Sequence, residues 1–142
     1  MSESERTHDD PEPFAYERPS EITGAKMLSQ LCNSRFIRGQ IQIVTEEGAT
    51  NRHSHAGSDG FWFVLGGQAR FYAGLDDEDS WELDTHEGIL VPHGCPYWFE
   101  SIGDSELEIL HVVGKSESID DQRTDYEDRP DWFEEKDFEY FE

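Results

Sequence analysis

Basic residues are scarce in this chain. Eleven lysines and arginines stand against 33 aspartates and glutamates in 142 residues, for a formal net charge of −22 at pH 7. A surface of that sign repels nucleic acid and anionic membrane at moderate salt, so neither is an expected partner. Only Lys26, Lys115 and Lys136 are lysines. An acidic, lysine-poor surface suits a high-salt cytoplasm and equally an ordinary acidic protein. Cysteine is nearly absent too. Cys32 and Cys95 lie far apart in sequence, which matches neither a disulfide framework nor a cysteine-based zinc site. No apolar window approaches the roughly 20 residues of a membrane helix. The opening MSESERTHDD has neither the basic start nor the apolar stretch of a signal peptide. The expected setting is the cytoplasm, with reduced thiols. No catalytic triad, phosphate loop or nucleotide motif occurs.

What remains is one domain with room for a single hydrophobic core, in three segments. Residues 1–20 carry six acids and two bases with three prolines, and read as a flexible acidic N-terminal arm. Phe14 and Tyr16 are placed to lie on a neighbouring surface. Residues 21–114 form the body. Residues 115–142 carry twelve acids and four bases, interleaved in DWFEEKDFEYFE with Trp132, Phe133, Phe138, Tyr140 and Phe141. Disordered acidic tails are poor in aromatics. This acidic-aromatic extension therefore reads first as ordered and packed on the body or a sister subunit, with partner binding and disorder as the alternatives.

The body is β-rich. FIRGQIQIV (36–44), GFWFVL (60–65), QARFYAG (68–74), GILVP (88–92) and ELEILHVVG (106–114) are short runs of β-branched and aromatic residues separated by Gly, Asp, Ser and Pro. AKMLSQLC (25–32) fits a helical turn or a strand. Many short strands with no long helical pattern predict an all-β sandwich or barrel. LDDEDS (75–80) lacks the spacing of a calcium loop and reads as a hairpin tip.

One short stretch carries the chemistry. In a strand, His53 and His55 share a face, and two converging imidazoles are a common start for a divalent metal site. A pair of surface histidines beside a loop is the plainer alternative. The surroundings resemble the two motifs of the cupin superfamily, small β-barrels of the jelly-roll class. The first runs His-x-His, three or four residues, Glu, six residues, Gly. Here His53-Ser54-His55 is followed by AGSDG and FWFVLGG. The second runs Gly, five residues, Pro-x-Gly, two residues, His, three residues, Asn, and HEGILVPHGCPYWFES (86–101) supplies Pro92-x-Gly94. The resemblance covers residues 25 to 114. It implies an all-β, single-domain cupin-type jelly-roll β-barrel with short N- and C-terminal extensions.

The resemblance also implies a metal site held by the two histidines, the glutamate and the second-motif histidine. This chain departs from that set. With Gly67 as the family glycine, Gly60 stands where the glutamate belongs, Tyr97 where the last histidine belongs, and Ser101 where the asparagine would be. His53 and His55 remain, a partial site for one divalent metal ion. Asp59 and His111 are the candidate substitutes. Asp59 fits the shorter spacing, although strand alternation turns it away from Gly60's side. In LEILHVV, His111 shares parity with Leu107 and Ile109 and faces the interior if Glu106 and Glu108 face water. A core histidine is the alternative. Tyr97 is a hydrogen-bonding group by default. His86 and His93 are expected to face solvent.

If position 60 faces inward, so do Trp62 and Val64, while Phe61, Phe63 and Leu65 face out. Arg38, Gln40 and Gln42 share one parity of the preceding strand and either line the pocket or form an exposed face. An interior lined by Trp62, Tyr97, His53, His55, Arg38 and Gln40 is the usual make-up of a small-molecule site. The expected function is binding of a small polar or sugar-like molecule. The alternative is a metal-dependent or acid/base enzyme, an isomerase, epimerase or lyase before a dioxygenase, with His53 or His55 as base and Tyr97 as acid. A structural role through the aromatic tail is a third reading. The outward stripe of Phe61, Phe63 and Leu65 predicts a homodimer.

Overall fold

A computed structural model describes residues 10–45, 48–116 and 123–128, together with the backbone of 138–141. Eleven strands follow in chain order: β1 (Lys26–Asn33), β2 (Ile37–Val44), β3 (His53–His55), β4 (Ser58–Gly66), β5 (Gln68–Ala73), β6 (Asp79–Leu83), β7 (Gly88–Val91), β8 (Tyr97–Ile102), β9 (Leu107–Lys115), β10 (Arg123–Asp125) and β11 (Phe138–Phe141). They form two sheets, β11-β1-β2-β9-β4-β7 and β10-β3-β8-β5-β6, antiparallel except where β11 joins β1 in parallel. The fold is the expected all-β jelly roll. AKMLSQLC resolves as strand β1, and β6 and β8 are additions to the expected runs. No helix is long and apolar enough to cross a membrane among the described residues.

Alternation builds the interior. In β9, Leu107, Ile109, His111 and Val113 are buried while the residues between them are half-exposed, because successive side chains leave a strand on opposite faces. In β4 the same rule buries Trp62 and Val64 and leaves Phe61 at the surface. The register then sets inward residues side by side. Arg38, Gln40 and Gln42 of β2 lie opposite Val113, His111 and Ile109 of β9, and Gly60, Trp62 and Val64 of β4 meet the same three from the other side. The interior is graded along these strands. Val44, Val64, Ala69, Phe71, Leu83, Phe99, Leu107 and Ile109 close one end as an apolar core. Arg38, Gln40, Gly60, His111 and the β3 histidines occupy the other.

Two turns fix this arrangement. Gly67 has φ of +78°, and a Cβ there would sit 2.6 Å from the Glu106 carbonyl oxygen, so the β4–β5 turn demands glycine. Gly94, at φ +77°, lets its N–H donate to the His55 carbonyl at 2.8 Å, tying the second-motif loop to the histidine strand. The 75–80 hairpin tip is pinned as well as solvated. Asp77 accepts from Arg52 at 2.7 Å and from the Trp98 indole at 2.9 Å.

The extensions join the body. Tyr16 donates to Glu108 at 2.5 Å, and Arg18 lies 3.5 Å from the same carboxylate, so the arm's Tyr16 reaches the outer face of β9. Burial, with Glu108 beside it, pushes the Tyr16 phenol well above its ordinary range. Residues beyond 114 supply β10 to one sheet and β11 to the other. Trp132 and Phe133 lie outside the described residues. Cys32 and Cys95 are both free thiols.

Candidate functional site

β3 is only three residues long, yet it orients the site. Its single ladder pair to β8 sets His53 opposite Tyr97, with ring centroids 4.6 Å apart. His53 and His55 stand edge-on at 5.2 Å, as their shared parity requires. The Nδ1 of His53 lies 2.8 Å from the Asn51 carbonyl oxygen; an N–H donated there leaves Nε2 as the ring's other nitrogen, a common way of fixing a functional imidazole. Burial, reinforced by the positive charge of Arg123, pulls the His53 pKa down to about 3. It is neutral at physiological pH.

His111 faces inward, on the expected parity. Its ring stacks on Trp62 at 3.6 Å and within 6° of parallel. Burial, then Arg38, holds it neutral, well below the ordinary histidine range. Trp62 extends the stack to Phe99 at 4.7 Å. Two cavities share Arg38, His55, Trp62, Tyr97 and His111 as walls. The larger, about 170 Å³, is also lined by Lys26, Gln40, Gln42 and Arg123. That volume is many times the roughly 10–15 Å³ that one water needs. The smaller is bounded by Gly60, Ser58 and Pro92.

The most informative feature is a set of four atoms. Arg38 Nε, Gln42 Oε1, Trp62 Nε1 and His111 Nδ1 are all buried without a hydrogen-bond partner, and all four side chains line this interior. Buried polar atoms are almost always paired. Four such orphans therefore cluster in the wall of one cavity.

Comparison with known proteins agrees with this fold. A family model described as Cupin domain matches residues 40–113, just over half of the chain. The chain belongs to the cupin family. No curated protein matches. Among solved structures, a double-stranded β-helix protein from Klebsiella pneumoniae is 16% identical, with 84% of this chain and 100% of that one covered and a TM-score of 0.65. KdgF from Halomonas sp. is 10% identical, covering 77% and 98%, at a TM-score of 0.62. Vicilin from tomato is 19% identical at a TM-score of 0.55, covering 63% of this chain. This chain spans only 25% of the vicilin. At such identities the likeness is one of fold.

Members of the family commonly hold a metal, and the donor set of this cupin does not fit one. No group of three or more His, Cys, Asp and Glu side chains is placed to hold a metal among the described residues, whereas zinc sites take three or more protein ligands. Asp59 drops out because it turns outward. Its carboxylate accepts from the His93 backbone N–H at 2.8 Å and lies 2.9 Å from His93 Nδ1, contacts that hold its pKa below the ordinary range. His93, expected to be merely solvent-facing, is thus an exposed partner of Asp59. Gly60 supplies no donor. A Cβ there would meet His111 Nε2 and the Val112 carbonyl oxygen at 3.2 Å each, so the imidazole edge lies close against the position where the family carries its carboxylate. His53 and His55 are two donors facing Lys26, Arg38 and Arg123, and cationic walls oppose a dication.

Arg38 and Gln40, open on sequence between pocket and exposed face, line the cavity. Lys26 and Arg123 were not foreseen. Lys26 is 4% exposed, with its ammonium 5.4 Å from the Phe99 ring centre. Burial, then Arg123, brings its pKa down from 10.5 to about 7. The available signal was a lone lysine in an apolar run whose period was ambiguous. Arg123 comes from the extension, where β10 pairs it with His55. It donates to Asp125 at 2.9 Å and to Asn51 at 2.7 Å. Nothing local to DQRTDYE links it to the histidines.

Proposed function

We propose that this cupin binds a small polar, sugar-like molecule in the open end of its barrel. The observation carrying the reading is the set of orphaned atoms on Arg38, Gln42, Trp62 and His111 round one cavity. Each such atom costs about 1–3 kcal/mol if left dry. A ligand with several hydroxyl or carboxyl oxygens would bring polar partners to the wall that these side chains form. Trp62, Tyr97 and Phe99 make part of the cavity wall apolar, the mixed character expected of a binding pocket.

The acid/base enzyme reading stands second because of His53. A base whose conjugate acid has a pKa of about 3 removes protons poorly near neutral pH, where effective general bases titrate close to the working pH, which leaves His55 as the candidate base of that reading. A homodimer is part of the proposal. Phe61 and Leu90 are paired across β4 and β7 and are 41% and 68% exposed on the outer face. A second copy covers that apolar surface.

The test is calorimetric titration of neutral sugars, polyols and small organic acids into the purified protein, repeated with Gln42→Leu. At least one compound should bind, and Gln42→Leu should weaken it about ten-fold, as expected for one buried hydrogen bond, with melting unchanged or raised. No binding at millimolar ligand would refute the proposal.

A further inference from the structure

The cavity has the opposite charge to the protein. The chain carries −22, yet Lys26, Arg38 and Arg123 line the interior and no Asp or Glu does among the described residues. These cations differ in their situation. Arg123 is matched by Asp125 and fixed by Asn51. The Arg38 side chain has neither an ion pair nor a hydrogen bond among the described residues, and its Nε is buried without a partner. Arg38 as a whole is half-buried, and a partly desolvated guanidinium with no partner in the wall of a cavity favours an anion there.

Position matters as much as sign. Arg38 lines the same small cavity as Gly60, His55, Tyr97 and His111, where the family's two motifs would place a carboxylate and a metal ion. Here the carboxylate is gone and a fixed cation stands in the same chamber. We propose that Arg38 takes the place of a metal ion as the charge partner of the ligand, so that the molecule bound is a small organic carboxylate. This deepens the pocket reading above and rests on it. The planar guanidinium matches a carboxylate edge-on with two parallel hydrogen bonds. Trp62 and Lys26 also line the larger cavity. Gln40 and Gln42 meet hydroxyls on the rest of the molecule.

The experiment pairs each acid with its uncharged counterpart: gluconate with sorbitol and glycerate with glycerol. Each is titrated calorimetrically in a buffer free of carboxylate and phosphate, with inorganic phosphate as a separate arm. The parent should bind at least one acid about ten-fold or more tightly than its alcohol, the worth of a charge-assisted hydrogen bond. Arg38→Gln should erase that ratio, while Arg38→Lys, which keeps the charge and loses the fork, should retain part of it. The parent comparison needs no variant and stands if Arg38→Gln fails to fold. Equal binding of acid and alcohol, or a ratio that survives Arg38→Gln, overturns the carboxylate assignment and leaves the pocket reading intact. Inorganic phosphate binding as tightly as the best acid also overturns it, in favour of a general oxyanion site. Binding of no compound at all overturns both.

Discussion

Replacing Lys26 with methionine should make the unliganded protein more stable, by an amount that depends on pH in a stated direction. The lysine is 4% exposed, and its pKa falls from 10.5 to about 7. Between those values the unfolded chain binds a proton that the folded chain lacks, so stability rises with pH across that window. Below pH 7 the folded protein carries a buried ammonium and its cost is full. At ~1.4 kcal/mol per pH unit the drop corresponds to a ceiling of roughly 4–5 kcal/mol at pH 6, and roughly two thirds of it is relieved by pH 9.5. Water reaching the cavity reduces the measured figure, and about 2–3 kcal/mol at pH 6 is the expected gain. Methionine fills the same volume against the Phe99 ring without a charge. Urea unfolding of parent and Lys26→Met at pH 6, 8 and 9.5 gives the difference directly. The advantage of the variant should shrink steadily across the series. A variant less stable at pH 6, or an advantage constant with pH, would refute the reasoning that Lys26 is held inside at a cost. A costly buried cation in the wall of a cavity is what a binding site retains and a purely structural core discards.

The remaining predictions concern metal and assembly. The parent should hold a divalent ion weakly and release it to mild chelation, because His53 and His55 fall short of a complete set; a full equivalent surviving chelation, by elemental analysis, would mean that the site is already complete. Gly60→Glu with Tyr97→His should retain one ion per chain through dialysis, at a stability cost of about 1–3 kcal/mol for overpacking, since a Cβ at position 60 already meets two atoms at 3.2 Å. Light scattering at micromolar concentration should give twice the chain mass in both low and molar salt, and Phe61→Glu with Leu90→Glu should halve it. A single chain mass for the parent would remove the dimer.

Much of the barrel was legible because a strand's side-chain period is local. Two-residue alternation places His53 beside His55, turns Trp62 and Val64 inward with Gly60, sends Phe61 out, and puts His111 on the parity of Leu107 and Ile109. The same rule turns Asp59 away from the pocket, towards His93. Motif spacing put Tyr97 where a histidine belongs, and the ladder sets it opposite His53.

Tertiary structure alone decided what the interior is made of. Parity gave Arg38 and Gln40 a common face without saying which side of the sheet it was; the pairing of β2 with β9 turns that face onto His111. Arg123 pairs with His55, 68 positions earlier, through a three-residue strand, a contact that no local pattern encodes. Lys26 is inside because β1 lies beside β2 with Lys26 opposite Val44. Its depressed pKa, and the neutrality of His53 and His111, come from desolvation by neighbours brought in from other strands. Burial, charge environment and the four unpartnered atoms belong to the assembled sheets, since each depends on what packing excludes from water. The sequence by itself determined most of the strands, the alternation of their faces and the family; the closing of two sheets over Arg38, Lys26 and Arg123 determined the chemistry of the cavity.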